Sequence, residues 1–251
     1  MKDWWKNYFD QIYLEIYKFL DEPERNRKEA EFISAALNLP PNSKLLDLAC
    51  GQGRHIVELA KMGYKMVGLD YSPLFLDLAR QRAEENNVEV ELVQADMRTI
   101  PFDDGEFDGV YSFYTSFGYF DDDDNFRVLK EIARVLKPGG RVLIEMSNPL
   151  RIVKEKLERT WFQTDKYFVL EDIELDAKTM RIYNRRKILI GSNIVDERVH
   201  FVRFYTAPEL SFLLHLVGLK VIQIYGDRDL SEYSESSRRI AWVAEKEQTD
   251  G

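Results

Sequence analysis

Five short apolar runs, each giving way to a stretch of helical character, constrain this chain more than any other feature. They are "KLLDLAC" (44–50), "YKMVGLD" (64–70), "VEVELVQAD" (88–96), "FDGVYSFYT" (107–115) and "RVLIEMS" (141–147), and most close on polar or small residues. Apolar runs of this length, bounded by turn signals, fit strands covered on both faces. Between them the spacing predicts helices over 52–62, closed by Gly63, over 72–86, with Ser72 as N-cap and Pro73 at the first helical position, and over 122–136, stopped by "KPGG". Strand and helix alternate, which predicts a mainly parallel, doubly wound α/β sheet. A chain of 251 residues with 45% hydrophobic content can bury one substantial core and still carry a small subdomain.

After Ser147 the rhythm changes. From about Trp161 to Tyr205 the chain reads as extended segments separated by Asp-Ala and Gly-Ser-Asn turn signals, so antiparallel hairpins are expected there. A helix over 207–218 then precedes two last strand candidates, "LKVIQIYG" and "RRIAWVAEK".

Composition narrows the function classes. Lysine and arginine total 35 against 44 aspartates and glutamates, a formal charge of -9, which opposes broad attachment to nucleic acid or an anionic membrane. The aromatic N-terminus "MKDWWKNYFDQIYLEIYKFL" is interrupted by charges throughout and reads neither as a signal peptide nor as a membrane span. A cytoplasmic protein is expected. The one cysteine, Cys50, excludes an intrachain disulfide framework and reads as a small packing residue. No metal site is expected, since acids at a helix start such as Asp121 to Asp124 are explained by the helix dipole.

The stretch "LLDLACGQGRH" (45–55) carries the chemistry. A strand that turns at once into a helix puts Gly51 and Gly53 where the backbone must take unusual dihedrals or let a ligand approach without a Cβ in the way. Asp70 ends the second strand about 20 residues later, where a carboxylate can accept from ribose hydroxyls. Asp96 ends the third strand beside the thioether of Met97, an acceptor and a soft apolar surface suited to adenine. A dinucleotide fingerprint would place a third glycine at position 56, and Ile56 stands there, which argues against NAD(P).

"LLDLACGQGRH", "GLDYS", "QADMRTIPF", "FDGVYSFYTSFGYF" and "LKPGGRVLIEM" together resemble the ordered motifs of class I S-adenosylmethionine-dependent methyltransferases. That resemblance implies a Rossmann-like α/β fold, a seven-stranded, mostly parallel sheet in order 3-2-1-4-5-7-6 with strand 7 antiparallel, and an antiparallel β insertion after strand 5. It implies S-adenosyl-L-methionine as cofactor, with Ala49, Gly51 and Gly53 along its methionine part, Asp70 at the ribose, Tyr71 beside the adenine and Asp96 with Met97 at its edge. Ala49 departs from the glycine of the family pattern. The segments "FDQIYLEIY" and "FYTSFGYF" are further similar to small-molecule methyltransferases of the glycine and amino-sugar N-methyltransferase kind. By that likeness an N-terminal helix covers the cofactor, Tyr13 approaches its sulfonium end, Arg27 meets its carboxylate and Tyr114 joins the cofactor site, while Phe117 and Tyr119 face the acceptor. An ordinary amphipathic helix docked on the core is the other reading of that N-terminal pattern.

The organisation expected is a helical lid over 1–30, a cofactor-binding core over 31–150 and 206–251, and an insertion over 151–205 that caps the substrate. Methyl transfer from a positive sulfur needs positioning and water exclusion rather than metal or covalent catalysis, and a neutral amine acceptor needs no strong base. His55, His200 and His215 read as structural, so no catalytic residue is assigned. The expected activity is S-adenosylmethionine-dependent methylation (EC 2.1.1.-) of a small amine or hydroxyl acceptor. The alternatives are an RNA-directed enzyme or a non-catalytic binding protein on the same fold. A homodimer is compatible with exposed strand edges in the insertion.

Overall fold

The computed structural model describes residues 3–155 and 158–248. The expectations for residues 1–30 and 151–205 therefore include four positions, 1, 2, 156 and 157, that lie outside the described residues. The aromatic N-terminus is not one helix. It breaks into α1 (Trp5–Tyr8), α2 (Gln11–Ile16) and a single 3-10 turn (Lys18–Leu20), because Asp10 leaves helical geometry and caps α2 by accepting from the Tyr13 N–H at 2.9 Å. The charged stretch "PERNRKE" that follows is the start of α3 (Pro23–Leu37). Asn26 and Glu29 are buried on its inner face, so the helix is docked on the core through residue 30.

The alternation read from the sequence then unfolds in order: β1 (Lys44–Leu48), α4 (Arg54–Lys61), β2 (Lys65–Asp70), α5 (Pro73–Glu85), β3 (Val90–Gln94), β4 (Phe107–Ser112), α6 (Asp122–Val135) and β5 (Leu136–Ser147). β5 begins five residues before the predicted run, because "LKPGG" pairs with the entry to β4, where the register shifts. The insertion follows with α7 (Pro149–Glu155), β6 (Arg159–Gln163), β7 (Phe168–Asp176), β8 (Arg181–Ile190) and β9 (Asn193–Arg203), the four strands forming an antiparallel sheet in sequence order. The chain returns through α8 (Ala207–Leu216), β10 (Leu219–Tyr225) and β11 (Arg239–Lys246).

The main sheet has seven strands in the order β10-β11-β5-β4-β1-β2-β3, with β11 antiparallel to both neighbours. This is the order 3-2-1-4-5-7-6 that the motifs implied. Its centre is tightly packed: Leu46, Phe107, Val110, Val142, Ile144 and Trp242 are fully buried, and the Trp242 indole N–H donates to the Ala207 carbonyl at 3.2 Å. The insertion is tied to this core at several points, among them a pairing of Arg203 with Glu209 of α8. The Arg203 N–H donates to the Gly118 carbonyl at 2.8 Å, and Arg181 and Arg203 both reach Asp122 in the first turn of α6. The acidic run thus caps a helix, through Asp121, and anchors a subdomain. Among the described residues no helix is long and apolar enough to cross a membrane.

Candidate active site

The turn after β1 is built as its glycines suggest. Ala49, Gly51 and Gly53 all have positive φ, at 67°, 56° and 75°. A Cβ on Gly53 would lie 2.9 Å from the Ala79 Cβ, so this glycine lets α4 approach α5. It sits behind the turn rather than on a ligand-facing wall. Asp70 fixes the turn from β2: its Oδ2 accepts from the Gly51 N–H and its Oδ1 from the Ser72 N–H, each at 2.8 Å. Burial nevertheless raises the Asp70 pKa, and the backbone donors offset this only in part.

At the carboxyl ends of the parallel strands these groups border a cavity. Ala49, Gly51, Asp70, Tyr71, Asp96, Met97, Tyr114 and Tyr119 line it, and Tyr13 reaches it from α2. Phe9, Tyr17 and Trp5 line it too, so the N-terminal segment closes one side with aromatic rings. Trp5 packs edge-on to Tyr71 with ring centres 4.6 Å apart. Asp96 is already engaged, because Arg98 donates to both of its oxygens through Nε, Nη2 and its backbone N–H, and also reaches Asp124 at 2.6 Å.

Two expected contacts are corrected. Arg27 faces solvent and pairs with Glu31 at 3.7 Å, because Glu29, two residues on and thus on the opposite side of the helix, points inward. Phe117 is buried in the core against Tyr205, at 5.4 Å between ring centres, and does not line the cavity.

Two lining residues lie in the stretch 45–55 without a role implied by its pattern. Arg54, at the start of α4, donates to the Leu20 carbonyl and to Asn26, and lies over the Tyr114 ring at 4.9 Å. It brings to the cavity the cation that Arg27 does not. Asp47, on β1, is a buried lining carboxylate whose Oδ2 has no hydrogen-bond partner, and burial, with Asp70 adding to it, pushes its pKa up to about 7.

Tyr114 is the hub of a buried charge network. It has φ 61° and Thr115 has φ 63°, a strained pair for side chains of this size. The Tyr114 N–H donates to Glu145 of β5 at 2.8 Å, its hydroxyl donates to Glu29 at 2.9 Å, and Arg228 lies over its ring at 4.2 Å. Arg228 bridges Glu29 and Glu145, and Arg239 of β11 pairs with Glu145 and reaches Ser147 and Thr115. Burial works to raise both carboxyls, but His55, Arg228 and Arg54 hold Glu29 down to about 2, and Arg239 with Arg228 keeps Glu145 below the usual carboxylate range. His55 is 2.9 Å from Glu29, yet burial lowers its pKa to about 4 and leaves it neutral. Such neighbours arise from separations of up to 199 residues, which no local pattern announces.

Residues 45–140 match the family model of a methyltransferase domain. YqeM of Bacillus subtilis (strain 168), named as an inferred methyltransferase, is 26% identical over 217 residues that cover 84% of this chain and 87% of that one. The demethylmenaquinone methyltransferase of Thermus thermophilus is 37% identical over 134 residues, covering 52% of this chain and 59% of that protein. The match therefore spans less than two thirds of that relative's length. Among solved structures, an S-adenosylmethionine-dependent methyltransferase from Clostridium acetobutylicum ATCC 824 superposes with a TM-score of 0.80 at 18% identity, over 95% of this chain and all of that one. A sugar N-methyltransferase from Streptoalloteichus sp ATCC 53650 does so with a TM-score of 0.70 at 19% identity, over 93% and 92% of the two chains. At these identities the likeness establishes a shared fold.

Proposed function

We propose, from the premise that this chain carries a methyltransferase domain of the class I fold, that it transfers a methyl group from S-adenosylmethionine to a small amine or hydroxyl acceptor. The observation that carries the reading is the cavity itself. Three carboxylates, Asp47 of β1, Asp70 of β2 and Asp96 just after β3, stand along one space with the glycine turn on one side and aromatic rings of the N-terminal segment on the other. The cofactor supplies a methyl group on a positively charged sulfur. Asp70 would hold its ribose, Tyr71 and Met97 its adenine, Arg54 its carboxylate, and the Asp47 Oδ2, without a hydrogen-bond partner, favours a cationic ligand. Asp96, saturated by Arg98, would have to share its lone pairs with the adenine amine.

The protein's own contribution is positioning and the exclusion of water. Phe9, Tyr13, Tyr17 and Tyr119 close the space with apolar faces, so a methyl acceptor can be held near the ~3–3.5 Å separation that displacement requires. No base is assigned: His55 is neutral but tied to Glu29, which leaves a neutral amine as the simplest acceptor. In this reading the N-terminal segment serves as the lid, residues 31–150 and 206–251 as the core and residues 151–205 as the substrate cap of a cytoplasmic enzyme.

The test is turnover. Purified protein with S-adenosylmethionine and a panel of small amines and alcohols is expected to form S-adenosylhomocysteine with at least one of them. Replacing residues 151–205 by a Gly-Ser linker is expected to keep cofactor affinity and abolish turnover. Tight S-adenosylhomocysteine binding with no acceptor turned over would favour a non-catalytic binding protein, and activity on RNA alone would overturn the small-molecule assignment.

A further inference from the structure

Beside the buried Val169 and Ile188, part of the face that the four-stranded sheet turns toward the N-terminal segment is polar where a buried face is ordinarily apolar. Glu171 of β7, Asn184 and Arg186 of β8, and Arg198 and His200 of β9 stand there in cross-strand register, with Arg186 opposite both Glu171 and Arg198 and Asn184 opposite His200. Against them pack Trp4, Tyr8 and Tyr17: Arg186 and Arg198 lie over the Tyr8 ring at 5.9 and 5.4 Å, and His200 is 4.7 Å from it between ring centres. Burying such groups is unfavourable unless each finds a partner.

The charged groups have found theirs. Arg186 pairs with Glu171 and donates to the Tyr17 hydroxyl at 2.8 Å, and Arg198 pairs with Asp196 and Asp10. The neutral groups have not. The Tyr8 hydroxyl, the Trp4 indole N–H, the Asn184 Oδ1 and the His200 Nδ1 are all buried without a hydrogen-bond partner. They form one cluster, since Trp4 is 5.1 Å from Tyr8 and 5.4 Å from His200 between ring centres, and Asn184 is the strand partner of His200. Tyr8 and Asn184 are only 5% and 8% exposed.

The cluster stands one layer of rings behind the cavity. Tyr119 and Phe9, which line the cavity, are 5.0 and 6.1 Å from Trp4, and Tyr17, also lining it, is held by Arg186. An outward movement of the N-terminal segment would open the cluster to the cavity.

We propose that Trp4, Tyr8, Asn184 and His200 form the subsite that recognises the methyl acceptor, by hydrogen bonds to an uncharged hydroxyl- or amide-bearing part of it. The proposal rests on the methyltransferase reading for the word acceptor, but the subsite itself rests on the unpartnered atoms. Two of the four groups can only donate or only accept, Trp4 and Asn184, and the other two can do either. A hydroxyl group meets both kinds. A phosphate or carboxylate finds no free cation, because both arginines are neutralised within the sheet. A hydrocarbon acceptor would leave all four atoms unpartnered.

Two measurements test this. In ligand-free protein, Tyr8→Phe and His200→Phe each replace an unpartnered buried polar atom by carbon and are expected to raise the melting midpoint by about 2–4 °C. A fall in both variants shows that these atoms are already satisfied and overturns the subsite. In protein saturated with S-adenosylhomocysteine, a panel of neutral polyols and hydroxylated amines, phosphate esters of the same compounds, and unsubstituted alkyl amines is screened by thermal shift. Hydroxylated neutral or amine members are expected to stabilise the wild type, and Tyr8→Phe to lose that shift while its S-adenosylhomocysteine affinity stays within twofold. Stabilisation by phosphate esters or alkyl amines alone, by no member at all, or retained in Tyr8→Phe overturns the proposal. Failure of S-adenosylhomocysteine to bind the wild type sinks the methyltransferase reading instead, and the melting comparison still judges the subsite.

Discussion

Replacing Gly118 by alanine should cost more than the same change at any open glycine, and the size of the excess follows from two positions in this chain. Gly118 has φ +109°, and a Cβ there would lie 2.3 Å from the backbone oxygen of Arg203. Gly63 has φ +91°, and a Cβ would meet nothing within 4 Å. Both substitutions force an L side chain into a region it avoids, at roughly 1–2 kcal/mol each. Only Gly118→Ala must also push apart two stretches of backbone, one of them the end of β9, and overpacking of that kind adds about 1–3 kcal/mol. The expected losses are thus about 1–2 kcal/mol for Gly63→Ala and about 2–5 kcal/mol for Gly118→Ala. The difference corresponds to roughly 2–12 °C in melting midpoint for a protein of this size. Urea titration and calorimetry of the two variants measure it. Because Tyr119 lines the cavity and adjoins the displaced residue, Gly118→Ala should also weaken S-adenosylhomocysteine binding while Gly63→Ala leaves it intact. Equal destabilisation by the two variants would refute the argument that the core and the insertion meet through bare backbone.

Ala49→Gly removes the Cβ from a residue at φ 67° and should stabilise the protein by roughly 1 kcal/mol, a rise that chemical denaturation can read. Asp47 ionises near pH 7 in the free protein, and a net cationic ligand favours the ionised form, so affinity for S-adenosylmethionine should climb as pH rises through 7 and level off above it. Calorimetry across pH 6 to 8 should show this slope in the wild type and not in Asp47→Asn. Asp70→Ala removes a carboxylate that holds Gly51 and Ser72, each at 2.8 Å, and should weaken cofactor binding by roughly 1.5–3 kcal/mol. Asp123→Ala, at an exposed helix start, should leave affinity unchanged, and equal affinities for the two variants would remove Asp70 from the site.

What could be seen in the sequence was what local chemistry decides. The strand and helix alternation, the glycine turn and the carboxylates ending successive strands each depend on residues within a few positions of one another. The break at Asp10 was legible only as a charge in an aromatic run, because its capping role depends on whether the chain around it is already helical. Arg27 and Arg54 were indistinguishable by type, and the choice between them is made by which side of α3 faces inward, a matter settled by the burial of Glu29. Phe117 and Tyr119 sit two residues apart in one motif, yet the turn at Gly118 sends the first into the core and leaves the second at the cavity. The Glu29, Glu145, Arg228 and Arg239 network was illegible for a different reason: its members come from three distant stretches of chain and carry no signature until the sheet brings them together.

That network also sets an order of events during synthesis. The wall residue Tyr114 is held by Arg228, which the ribosome adds more than a hundred residues later, and the antiparallel strand that carries Arg239 enters the sheet later still. A nascent chain long enough to form β1 to β5 can pair its parallel strands, but the clamp on Tyr114 and Thr115 does not yet exist. Tyr114 and Thr115 gain their arginine partners only once residues 228 and 239 have been made and the last strand lies between β5 and β10. A partly made chain therefore lacks the two arginines that hold this corner of the cavity wall.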